Sequence, residues 1–90
     1  MSLSTLTSVI SSLPAQTRCE ILGKVSSYAS ILYGGASTSQ IEFMAASIDE
    51  VSNGSGLQII TLSMWPDDEL PEELKPMANQ VLSNLAAVNA

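Results

Sequence analysis

Ninety residues hold at most one compact domain, because a chain this short cannot divide its apolar side chains between two cores. Hydrophobic residues make up 46% of it and charged ones 13%, against about 25% charged in an average globular protein, which excludes intrinsic disorder and leaves Ser, Thr, Asn and Gln to cover the surface. Nine acids against three bases, Arg18, Lys24 and Lys75, give a net charge of -6 and argue against direct binding to nucleic acid or to an anionic membrane, since both attract cations.

Met1 to Pro14 has no basic start, and Ser and Thr interrupt its apolar residues, unlike a secretory leader. Leu57 to Trp65, the longest apolar-rich run, is far short of the ~20 residues that span a bilayer. Cys19 is the single cysteine, so no intramolecular disulfide is available and a reducing, cytoplasmic location is expected.

In chain order, Leu3, Leu6, Val9, Ile10 and Leu13 recur at three- and four-residue spacing and predict a helix over 3–13. Pro14 ends it and suits the first turn of a second helix. The stripe Leu22, Val25, Ala29 and Leu32, widened by Ile21, Tyr28 and Ile31, carries that helix over 15–33 to the stop at Gly34-Gly35. Glu20 and Lys24 stand four residues apart in the favourable order and predict an ion pair on its outer face. Gly23 is its weak point, since glycine inside a helix costs about 1 kcal/mol relative to alanine.

Ser39-Gln-Ile-Glu42 matches an S-x-x-E capping box, and Ile41, Met44, Ile48 and Val51 follow at helical spacing. A third helix over 40–51 is expected, closed by the loop Ser52-Asn-Gly-Ser-Gly56. Residues 57–64, LQIITLSM, fit two descriptions. Leu57, Ile60 and Met64 share a helical face, whereas the short, β-branched run suits a strand whose backbone would need a partner. That partner is either 41–47, as the other arm of a hairpin, or the same strand in a second copy. Trp65-Pro-Asp-Asp-Glu-Leu-Pro71 reads as a capped lead-in to the last helix, with a turn over Pro71 to Lys75 and a kink at Pro76. Leu74, Met77, Ala78, Val81, Leu85 and Val88 then give a regular helix over 76–88. The expected fold is mostly α, a compact array of three to five short helices in a single globular domain over 1–90. The α+β alternative has a 41–47/57–64 hairpin.

Histidine is absent, which removes the commonest general acid/base and transition-metal ligand, so no enzyme activity, cofactor or metal is expected. Cys19, beside an apolar stripe with only Arg18 to activate it, reads as a core residue. Asn53-Gly-Ser-Gly56 lacks the pattern of a phosphate loop. Tyr28 and Tyr33, five residues apart on the second helix, read as core-edge residues.

Asp67, Asp68, Glu69, Glu72 and Glu73 place five carboxylates within seven residues. Acids there oppose a helix macrodipole and cap its free N–H groups, and they lack the ligand spacing of a Ca²⁺ loop. They also form a docking patch for a basic partner, with Trp65 beside them as an anchor; the same tryptophan reads equally as an apolar plug against the last helix. The expectation is a non-catalytic protein–protein interaction module, whether subunit, adaptor or inhibitor. It acts through an apolar helix face and the acidic 67–73 segment, and forms homo-oligomers. Its candidate partner-binding residues are Trp65, Asp67, Asp68, Glu69, Glu72 and Glu73. One alternative is an anionic nucleic-acid mimic in which Glu20, Glu42, Asp49 and Glu50 line up with that cluster. The other is a weak Ca²⁺- or Mg²⁺-binding protein.

Overall fold

The computed structural model describes residues 3–65 and 70–88. Helical periodicity runs through nearly all of them. Helix α1 (Ser4–Val9) is shorter than its stripe: the serines after Ile10 turn the chain, and the Ser11 hydroxyl donates to the Ser8 carbonyl at 2.8 Å. Leu13 therefore lies beyond α1, and Arg18 Nε donates to its carbonyl at 3.0 Å, fastening the corner.

Pro14 precedes α2 (Ala15–Ser27), as its ring geometry favours. The helix expected over 15–33 is divided at Tyr28, whose φ of -103° and ψ of 4° separate α2 from α3 (Ala29–Tyr33). Gly23, the expected weak point, stays inside α2. The break falls where Ser27 turns its hydroxyl onto the Lys24 carbonyl at 2.7 Å and the Tyr28 N–H bonds only three residues back, to Val25. Serine competing for backbone acceptors is a common way for a last turn to tighten.

Helix α4 (Thr38–Ser52) starts earlier than expected, on a different capping box. Gln40 N–H donates to the Ser37 hydroxyl at 3.2 Å, and Ser37 N–H donates to Gln40 Oε1 at 2.8 Å. Ser39 and Glu42 fit the same pattern in sequence, but Ser39 lies inside the helix. Asn53, at a left-handed φ of 53°, and Gly54, at 86°, end α4 and swing the chain into α5 (Gly56–Ser63).

Residues 57–64 are thus helical except for Met64, which caps α5, and no strand occurs among the described residues. The hairpin alternative fails because 41–47 lies wholly inside α4. Helix α5 needs no strand partner: its interior backbone groups pair within the helix, and at its start Asp49 of α4 takes the Gly56 N–H at 2.6 Å. A 3₁₀ turn, Glu72–Leu74, then leads into α6 (Lys75–Val88). Pro76 stands in the first turn of α6, where its missing N–H has no helical acceptor. The change from 3₁₀ to α falls at Lys75, one residue before Pro76, and α6 runs through Pro76 without a break.

One apolar core joins all six helices. Leu6 enters from α1, Ile21 and Val25 from α2, Leu32 from α3, Met44 and Ile48 from α4, Ile59 and Leu62 from α5, and Val81 and Leu85 from α6. The radius of gyration, 12.1 Å, is that of a folded chain of this length, about 12 Å. Buried serine hydroxyls are satisfied: Ser52 and Ser63 donate to the Ile48 and Ile60 carbonyls within their own helices, each at 2.7 Å, and Ser55 accepts from Asn84 Nδ2 of α6 at 2.8 Å.

Candidate protein-binding surface

Among the described residues, five large apolar side chains remain exposed outside the core: Ile31, Tyr33, Phe43, Leu57 and Met64. Leu57 and Met64, seven residues apart on α5, share a face with Thr61, and α5 carries no charged residue. On the other side of the α4 helix, Phe43 is 69% exposed and meets Tyr28 edge-on, with ring centroids 6.5 Å apart and planes at 81°. Ile31 stands one turn beyond Tyr28, whose carbonyl accepts its N–H at 3.1 Å.

The α2–α4 boundary can be followed from its cross-contacts. Tyr28 meets Phe43, and one turn away Lys24 Nζ donates to the Ser47 hydroxyl at 3.2 Å. Residue number rises on one helix as it falls on the other, so the two run antiparallel here. Continued by one more helical turn, the same antiparallel register sets Glu20 level with Val51, next to which Glu50 is exposed. The boundary therefore has an aromatic end and a carboxylate end with Lys24 between them, and Glu42 flanks Phe43.

The ion pair expected between Glu20 and Lys24 does not form, because Lys24 is drawn across to Ser47; Glu20 accepts from Gln16 Nε2 at 3.5 Å instead. Arg18 is spent on the Leu13 carbonyl and Lys75 on Glu72, at 2.6 Å. Lys75–Glu72 is the sole ion pair among the described residues. All three bases thus have partners within the chain, while Glu20, Glu42 and Glu50 are exposed and form no ion pair among the described residues.

Of the candidate partner-binding residues singled out by sequence, Trp65, Glu72 and Glu73 are among the described residues. Trp65 is partly buried, and its ring N–H is shielded from solvent with no acceptor among the described residues, in keeping with a plug rather than an open anchor. Glu72 and Glu73 lie in the exposed 3₁₀ turn, and Asp67, Asp68 and Glu69 lie outside the described residues. Of the acids needed for a nucleic-acid mimic, Glu42, Asp49 and Glu50 are on the exposed part of α4, with Asp49 already bound to Gly56. Two readings are corrected. Cys19 is an exposed free thiol, not a core residue, because it sits on the face of α2 opposite Ile21 and Val25. Tyr33 is 60% exposed, at the end of α3 next to the buried Leu32.

The chain matches no protein-family model, no curated protein and no solved structure. What its surface can do follows from its own chemistry. Among the described residues no group of three or more Cys, Asp or Glu side chains is placed to hold a metal ion, and no helix is long and apolar enough to cross a membrane. Burying a side chain the size of Phe43 against a partner contributes about 2 kcal/mol. Phe43 was missed in sequence because it lies off the Ile41, Met44, Ile48 and Val51 stripe; the signal available was that same displacement, in the chain's only phenylalanine.

Proposed function

We propose that this chain is a non-catalytic, acidic protein–protein interaction module, a small subunit, adaptor or inhibitor, and that it works in the cytoplasm. The observation that carries the reading is Phe43, exposed and edge-on to Tyr28, on a helix whose exposed carboxylates Glu42 and Glu50 form no ion pair among the described residues. Aromatic anchors with a polar rim are what protein interfaces use. The exposed Cys19 thiol fits a reducing compartment. The uncharged Leu57 and Met64 face suits a second copy, since a net charge of -6 opposes self-association through any acidic surface.

Affinity capture from the native host, followed by reconstitution from purified components, tests this. A defined partner in a stoichiometric complex, or a homo-oligomer on sizing that Leu57→Ser disperses, is expected. Recovery of no partner together with a monomer on sizing removes the reading.

A further inference from the structure

We propose that the α2–α4 boundary docks a cationic amphipathic helix of a partner protein, whose apolar anchor sits on Tyr28 and Phe43 and whose Lys or Arg meets Glu20 and Glu50. The inference rests on the protein-binding reading and adds to it a place and a ligand chemistry.

Three features select this occupant. Phe43, at 69% exposure, and Tyr28 form a preassembled aromatic shelf, so an apolar side chain laid there loses water at little ordering cost. Glu20 lies eight residues before Tyr28 on α2 and Glu50 seven after Phe43 on α4, which sets the carboxylate end about 11 Å from the shelf at 1.5 Å per residue. A partner helix spans the same distance in two turns, with anchor and cation seven residues apart on one face.

Charge excludes the other occupants. The exposed faces of α2 and α4 along this boundary carry three carboxylates, Glu20, Glu42 and Glu50, against the single ammonium of Lys24, which donates to Ser47. A second copy brings the same acids against themselves, and nucleic acid brings phosphates. Lys24 also sharpens the ligand: midway between anchor and cation, the partner presents a polar or acidic residue, not a third base.

The test uses two synthetic alanine-based helices of equal composition, titrated into the isotope-labelled full chain by NMR. One carries leucine, glutamate and arginine at positions i, i+4 and i+7 of one face; its isomer places leucine and arginine on opposite faces. The first is expected to bind with shifts confined to residues 20–28 and 43–50, and more weakly as salt rises. Phe43→Ser is expected to weaken it about tenfold and the double change Glu20→Gln with Glu50→Gln about fivefold. All three sites are exposed, so these variants keep the fold, and their amide spectra check that. Equal binding of the isomer, no binding of either, shifts centred on Leu57 to Met64, or indifference to the substitutions overturns the proposal. A native partner that is captured and survives Phe43→Ser likewise overturns it while leaving the protein-binding reading intact.

Discussion

At Gly56, a Cβ would overlap the carbonyl oxygen of Ala45 and crowd the Asp49 carboxylate. Backbone cannot rotate away as a side chain can, so α4 and α5 owe their close approach to this one missing methyl. Gly56→Ala is expected to destabilise the fold by about 3 kcal/mol, a drop of roughly 15 °C in Tm. Gly23 is the opposite case, with nothing within 4 Å of where its Cβ would stand and a helix on both sides. Gly23→Ala is expected to stabilise by about 1 kcal/mol. Thermal melts followed by circular dichroism decide both; equal Tm values for the two variants would contradict the packing described. In sequence the ranking is reversed, because mid-helix position marks Gly23 as a liability while only the neighbouring helix reveals what Gly56 permits.

Among the elements, α4 is legible in its apolar stripe but not in its start. Ser37-x-x-Gln40 and Ser39-x-x-Glu42 are both acceptable boxes two residues apart, and the extended backbone of Ser37, with ψ 165°, settles the choice. Ser37→Ala is expected to cost about 1 kcal/mol, and Ser39→Ala a few tenths at most, by urea unfolding. A larger loss at Ser39 would restore the sequence reading. Helix α5 was ambiguous because eight residues are too few for periodicity to decide. Adjacent Ile59 and Ile60, both buried, suit a helix packed on two sides, while a strand would have turned one of them outward.

Across the whole molecule, the core is assembled from a few residues of each helix, so no helix is dispensable. Leu62 has no exposed surface, whereas Leu57 on the same helix is 56% exposed. Leu62→Ala is expected to cost about 3 kcal/mol, a large share of the roughly 5–15 kcal/mol that holds a domain of this kind together. Leu57→Ala is expected to change the urea midpoint little, within about 0.5 kcal/mol. Comparable losses at the two positions would place α5 in a different orientation from the one described.

The sequence by itself determined that the chain is acidic and mostly helical, where most of its helices lie, and which stripes form the core. Those properties follow from composition and from 3.6-residue periodicity, which a linear chain records. Tertiary structure alone decided that Lys24 abandons Glu20 for Ser47, that Asp49 caps a neighbouring helix, and that Phe43 meets Tyr28 edge-on across the α2–α4 boundary. Each of these joins residues from different helices, or lets a distant partner outbid a near one. Spacing along the chain carries no information about that competition.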